Sequence, residues 1–251
     1  MHSTFVVQSK YEHLKPQLEA VVKSFNDVGS FVSHQERNVI KKVVLEGMTL
    51  NIKSFKKPSL FQGLVYQFIR KSKARRSFEY AKRLIEKQIN TPFPVAYFEK
   101  TSLGLKQSYY ISEHLEYDFD FRVLIHNPNW PNRREVLEQF AVFTFQLHQK
   151  GINFLDHSPG NTLIIQNEKE HYDFYLIDLN RMRFEFMNFN KRMHNLRRLW
   201  LSKTMINIMA PVYAKCAVKS TEETHQLMTY HSRKFQKKVN SKKIRKRRRS
   251  C

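Results

Sequence analysis

Cysteine is almost missing from this chain. Cys216 and Cys251 are the only two in 251 residues, and they lie far apart, so no disulfide framework or cysteine zinc site is expected. Long apolar runs are missing as well: no stretch approaches the ~20 residues that cross a bilayer. Residues 1–15 hold no basic segment followed by an apolar run, so no signal peptide is read. The expected location is the cytosol, or a peripheral position on the cytosolic side of a membrane. Acid is scarce relative to base, with 22 Asp and Glu against 44 Lys and Arg, a formal charge of +22. With 41% hydrophobic and 13% aromatic residues the chain can bury a core, which excludes wholesale disorder. The basic excess points to polyanionic company: nucleic acid, an anionic membrane face or phosphorylated ligands.

The charge is unevenly placed. No acidic residue follows Glu223, and residues 233–249 hold 11 Lys and Arg, half of the net +22. Residues 231–251 therefore read as a solvated basic tail. No internal repeat is visible. In the body, Leu14, Leu18, Val22 and Phe25 fall at helical spacing within residues 11–25. Residues 38–45 and 48–55 read as a β-hairpin turned by Glu46-Gly47. Residues 75–88 read as a helix with Phe78, Ala81 and Ile85 on one face, stopped at Asn90-Thr91-Pro92. Residues 94–99 and 108–112 read as strands around a Gly104 turn. Residues 133–150 form a further expected helix, with Val136, Phe140, Phe143 and Leu147 in register and Gly151 as its stop. Short strands at 162–165 and 172–177 follow, joined by 166–171, and then a helical region at 188–213. Strands come mostly first and helices mostly later, an α+β arrangement in two lobes.

The segment richest in chemistry is Gly151-Ile-Asn-Phe-Leu-Asp156-His-Ser-Pro-Gly-Asn161, followed by strand, turn, strand and Asp178. A helix delivers a loop carrying Asp156, with Asn161 five residues on, and a hairpin returns Asp178 towards that loop. A carboxylate to orient a hydroxyl, with an amide and a carboxylate as hard oxygen ligands, is what Mg2+-dependent phosphoryl transfer needs. From the first lobe, Lys53 sits in the apolar strand Leu50-Asn51-Ile52-Lys53 and points either to solvent or into a cleft. Glu79 on the following helix has a separation suited to pairing with that lysine, although Glu86 on the same helix is a competitor.

Asp156-x4-Asn161 resembles the catalytic loop of protein-kinase-like enzymes, and Asp178-Leu179-Asn180 resembles their metal-binding Asp-Phe-Gly triplet. More narrowly, the sequence resembles the lipopolysaccharide kinase (Kdo/WaaP) family, which uses ATP to phosphorylate inner-core sugars of lipopolysaccharide. Four pieces carry the likeness: Ile52-Lys53-Ser54-Phe55-Lys56-Lys57-Pro58, Arg70-Lys71-Ser72-Lys73-Ala74-Arg75-Arg76-Ser77-Phe78-Glu79, Ile89-Asn90-Thr91-Pro92-Phe93-Pro94 and Leu176-Ile177-Asp178-Leu179-Asn180-Arg181. The likeness as a whole runs from about Gly29 to about Trp200. The resemblance implies a bilobal protein-kinase-like fold, with a small β-rich N-lobe at 1–112, a reduced helical C-lobe at 113–230 and the tail at 231–251. It implies that Asp156 is the catalytic base, that Asn161 and Asp178 bind Mg2+, that Lys53 holds ATP phosphates and that Glu79 anchors Lys53. Glu113 to Leu115 would be the hinge that meets adenine through backbone groups. The implied acceptor is the glycolipid lipid A–core, at the inner face of the cytoplasmic membrane.

Three positions depart from the pattern. Phe154 stands where a histidine is expected two residues before the base. Asn180 replaces a glycine, and asparagine can adopt a left-handed backbone. No glycine-rich phosphate loop is seen: 33–38 has none, which leaves Arg37 or the Ser33 hydroxyl as phosphate contacts. His157 is expected to cap or face water. Arg181 and Arg183 either bind substrate phosphate or flank a strand. The span from Glu113 to Tyr213, about a hundred residues, is short for gripping a polypeptide. That favours a sugar or glycolipid over the alternatives of an atypical protein or small-molecule kinase, or a binding module without turnover. The basic tail is expected to draw the enzyme to anionic lipid rather than to a specific nucleic acid.

Overall fold

The structure, a computed structural model, describes residues 2–35, 38–167 and 170–248, and the chain divides into two compact units, Met1–Glu116 and Tyr117–Cys251. Arg37 and the Ser33 side chain, the expected phosphate contacts, lie outside what is described.

The first unit is built on a six-stranded antiparallel sheet. Its strands are β1 (His2–Val7), β2 (Ser30–Gln35), β3 (Asn38–Leu45), β4 (Met48–Phe55), β5 (Pro94–Ser102) and β6 (Gly104–Glu113), in the order β1-β5-β6-β4-β3-β2. The hairpin β3–β4 turns at Glu46-Gly47 with both residues at positive φ, 48° and 78°, the mirror-image turn that matches strand twist and that glycine adopts without strain. The strand alternation then sorts side chains between two cores. Leu50 and Ile52 face the cluster containing Leu14, Leu18 and Val22 of the N-terminal helical segment. Phe55 faces the opposite cluster with Ala74, Phe78 and Tyr97.

The helix expected at 11–25 begins instead as a 3-10 turn, Ser9–Leu14, and becomes α1 only at Lys15–Lys23. Pro16 explains the change, since its ring tolerates the first turn of an α-helix but not the interior. Where α1 ends, the Lys41 ammonium of β3, 3% exposed, donates to the carbonyls of Phe25, Asn26 and Val28 at 2.7, 2.8 and 2.9 Å. Two helices cover the other face: α2 (Leu60–Phe68) and α3 (Lys73–Glu86), the second capped by the Ser72 hydroxyl on the Arg75 N–H. On α3 the buried stripe is Phe78, Ala81 and Leu84; Ile85, expected there, is exposed, because the stripe follows a spacing of three rather than four at its end.

The second unit is mainly helical. Its helices are α4 (Arg122–His126), α5 (Arg133–Gln149), α6 (Phe189–Leu196), α7 (Lys203–Ala217) and α8 (Thr221–Arg248). Its short strands form two small sheets: β7 (Phe119–Asp120), β9 (Thr162–Gln166) and β10 (Tyr172–Leu176) in one, β8 (Ile152–Phe154) and β11 (Met182–Phe184) in the other. Val136, Phe140, Phe143 and Leu147 of α5 are all buried, and Phe140 packs on Phe121 and Phe174 with ring centroids 4.3 and 5.2 Å apart. A β-rich first unit followed by a mostly helical second is the arrangement of a kinase-like fold.

Residues 188–213 are helical as expected, in two pieces: a 3-10 turn, Arg197–Leu199, and Trp200 at φ 58° separate α6 from α7. One expectation is corrected here. The expected solvated tail is helical, being the C-terminal half of α8. His231 and Ser232 are buried, and Phe235 packs edge-on against Trp200 at 5.8 Å. Thr224, Met228, His231 and Phe235 recur at helical spacing, which anchors α8 on the unit despite its polar composition.

Candidate active site

In the first unit, register places Lys53. It lies opposite Ile40 of β3 and Tyr110 of β6, and two residues from Phe55, so it stands on the sheet face that carries α3. Its ammonium is 5.4 Å from the Phe55 ring centroid. Glu79 follows Phe78 on α3. The Lys71 ammonium reaches both carboxylate oxygens, at 2.9 and 2.7 Å, and Arg75 Nε donates to Oε1 at 2.9 Å. Burial pushes the Glu79 carboxyl up, but hydrogen bonds from Lys71 and Arg75 outweigh it, so the group lies below the usual carboxylate range.

Glu113 ends β6. Its N–H donates to Phe93 O and the next N–H, of His114, to Thr49 O, both at 2.9 Å. The Tyr11 hydroxyl donates to the Glu113 carboxylate, and Lys10 lies 3.4 Å from the same oxygen. Leu115 follows directly, half-buried, beyond the sheet's last backbone bonds.

In the second unit three predicted residues come together. Asn161 Nδ2 donates to the Asp156 carbonyl at 2.8 Å, and the Ile177 N–H donates to the Asn161 carbonyl at 3.0 Å, which brings Asp178 alongside. The left-handed residue of the Asp178-Leu179-Asn180 triplet is Asp178, at φ 56°; Asn180 does not use the left-handed conformation open to it. Asn180 turns its amide back to Asp178 Oδ1 at 2.7 Å, and the short side chain of an aspartate tolerates that backbone region. The Asn161 amide nitrogen is committed to the loop, which leaves its oxygen to act, with the Asp178 carboxylate, as a hard donor to a metal. Two hard oxygen donors suit a Mg2+ ion that takes its remaining ligands from water and phosphate. Among the described residues no group of three or more His, Cys, Asp or Glu could hold a metal alone.

The surroundings of Asp156 are cationic. Arg198 Nη2 meets Oδ1 at 2.6 Å and Arg181 Nη1 lies 3.5 Å from Oδ2. Arg198 arrives on the 3-10 turn between α6 and α7, and its guanidinium lies 5.7 Å from the Phe235 ring of α8. Sequence spacing gave no hint of this residue.

Nor did it disclose what holds the loop. Asn195 of α6, 3% exposed, donates to Asn153 Oδ1 and Phe154 O, each at 2.9 Å. Its own oxygen lies 3.2 Å from both His148 Nε2 and His157 Nδ1. Because that oxygen only accepts, both ring nitrogens carry protons, and His148 Nδ1 accepts from the Tyr213 hydroxyl at 2.7 Å. Asn153 continues the chain by donating to Glu185 Oε1 at 2.7 Å. His157, expected at the surface, is fully buried and stacks on Phe154 at 5.5 Å, filling space beside the phenylalanine that replaces the expected histidine. Burial holds both imidazoles neutral, lowering His148 to about 3 and His157 to about 4. One signal was available: His148 follows Ala141 and Thr144 on the buried stripe of α5.

With this geometry in view, the sequence profile of the lipopolysaccharide kinase (Kdo/WaaP) family matches residues 12–229. The chain belongs to that family. No curated protein matches it in sequence. It is similar in structure to WaaP in complex with acyl carrier protein, with 17% identity, 93% of this chain and 98% of that one covered, and a TM-score of 0.65. A MAP kinase from Leishmania major, LmaMPK10, covers 78% of this chain and 61% of its own at 17% identity and a TM-score of 0.41. Membership makes the chain a phosphotransferase of lipopolysaccharide synthesis, with ATP as the family's expected donor.

Proposed function

We propose that this lipopolysaccharide kinase transfers the γ-phosphate of ATP to a hydroxyl of an inner-core sugar, Kdo or a heptose, of lipid A–core. The observation that carries the reading is the joining of Asp156, Asn161 and Asp178 by the loop's own hydrogen bonds, in a chain of this family. Asp156 accepts the sugar hydroxyl proton, its carboxylate steered by Arg198 and Arg181. Asn161 and Asp178 hold Mg2+, which neutralises phosphate charge. Lys53 holds the ATP phosphates and Glu79, whose carboxylate also takes up Lys71 and Arg75, anchors it. Adenine is met by the backbone from Glu113 to Leu115; with the Glu113 and His114 N–H groups engaged in the sheet, the Leu115 N–H and the hinge carbonyls take that part. The protein works peripherally at the inner face of the cytoplasmic membrane, drawn there by the basic C-terminal half of α8. The similarity to a WaaP structure solved with acyl carrier protein supports a second partner reading, a carrier-protein complex, which co-purification tests.

The deciding experiment is mass spectrometry of lipid A–core from cells with and without the gene, complemented by wild type or Asp156→Ala. Loss of one phosphate, about 80 Da, restored only by wild type, is the expected result. An unchanged mass in every strain refutes the acceptor. Restoration by Asp156→Ala would remove Asp156 from the role of base.

A further inference from the structure

Helix α2 is an anomaly on the surface of the first unit. Gly63 lies directly on the β5–β6 turn, where a Cβ would come within 3.1 Å of Leu105 O, and the Gly104 N–H donates to Gln67 Oε1 at 2.7 Å. With one face pressed backbone-to-backbone on the turn, helical geometry sends Phe61 and Phe68 about 160° and 140° round the axis from Gly63. Phe61 is 76% exposed and Phe68 74%. Leu60, Ile69 and, at the tip of the turn, Leu103 are 58, 81 and 65% exposed. Five large apolar side chains thus stand in water along α2, at its C-terminal end and on the adjoining turn, a concentration that marks an interaction surface.

The flanks name the partner's chemistry. Between Glu46 and Glu79 the sequence has no acidic residue, while Lys53, Lys56, Lys57, Arg70, Lys71, Lys73, Arg75 and Arg76 fall within that span. Glu79 takes up Lys71 and Arg75, but Lys56, Lys57 and Arg70 are exposed at the two ends of α2. Apolar side chains projecting from a short helix with cations at both ends match the interface of an anionic bilayer, into which such a helix lies flat. Crossing is not in question, since among the described residues no helix is long and apolar enough.

We propose that α2 and the tip of the β5–β6 turn form a membrane-insertion face that seats in the surface of an anionic bilayer. This face is separate from the attraction assigned to α8 and is indifferent to which sugar accepts phosphate.

The test uses the full chain and vesicles of phosphatidylcholine with about 30 mol% phosphatidylglycerol. Three proteins are floated: wild type, Phe61→Ser/Phe68→Ser, and an α8 variant with Lys242, Lys243, Arg245, Arg247 and Arg248 replaced by Gln. The Phe61→Ser/Phe68→Ser protein should keep its melting temperature and lose vesicle binding at least about tenfold, with the remainder abolished by salt. In Phe61→Trp, vesicles should shift the tryptophan emission to the blue. Binding equal to wild type in Phe61→Ser/Phe68→Ser, or an unshifted Phe61→Trp emission, overturns the proposal. So does binding lost only in the α8 variant, which would leave the tail reading standing alone. A change of sedimenting mass in Phe61→Ser/Phe68→Ser with vesicle binding intact would assign the surface to a second copy of the chain and likewise overturn it.

Discussion

Lys53 and Asp156 are held in place by different means. Lys53 is set by backbone: strand register against Ile40 and Tyr110 fixes which sheet face it takes, whatever its side chain. Asp156 sits on a loop held by side chains from afar: Asn195, which grips Phe154 O and His157, and Arg198. A residue placed by register can be changed without disturbing its neighbours. A loop placed by a buried polar hub fails with the hub, because a buried group stripped of its partner carries the full cost of desolvation.

Lys53→Ala tests the first half of the comparison. Phosphotransfer should fall about a thousandfold, about 4 kcal/mol of barrier, with no change in melting temperature. A matching loss of stability would mean that the lysine is structural. Asn195→Ala tests the second half. It strands His157 Nδ1, His148 Nε2 and Asn153 Oδ1 in the interior and should cost about 3 kcal/mol in denaturant unfolding. Activity should drop together with stability, and a fully stable but inactive variant would contradict the role given to the hub.

Acid provides a milder probe of the same hub. His148 and His157 titrate near 6.5 when unfolded but only near 3 and 4 in the folded protein. The stability they contribute is therefore present above pH 6.5 and is lost as pH falls from there towards 4. Unfolding free energy should drop by about 2 kcal/mol between pH 7 and pH 5.5, and Asn195→Ala, which removes a hydrogen bond that raises both imidazoles, should leave that slope in place. A pH-independent midpoint across the interval would show that the imidazoles are not held neutral.

The same contrast explains what could be read from the sequence. The hairpin β3–β4 and the stop at Gly151 are written in adjacent residues, so local turn chemistry found them. Asp156, Asn161 and Asp178 were legible because helix, loop and hairpin follow one another along the chain. Asn195 and Arg198 act on Asp156 and its neighbours from about forty residues away, without periodicity, and so left no trace. β1 escaped because its residues, His2 to Val7, do not alternate, and α8 because a basic composition hid its spacing of Thr224, Met228, His231 and Phe235. The packing of Phe235 beside Arg198 also bears on experiment. Removing residues 233–251 to test membrane attraction would strip support from the Asp156 partner, whereas neutralising charges beyond Asn240 leaves Phe235 in place and forfeits only the Lys243 contact with the Trp200 ring.

The Lys41 socket gives this basic protein an internal clock. An amine acylated by a labelling reagent must expose a lone pair, yet all three Lys41 N–H bonds are spent on the carbonyls that follow α1. Lys56 and Lys57 are exposed to solvent and should label at once. Lys41 should label only when the chain between Phe25 and Val28 lifts from β3. Its acylation rate thus counts how often the end of α1 opens, a local event that a melting curve averages away.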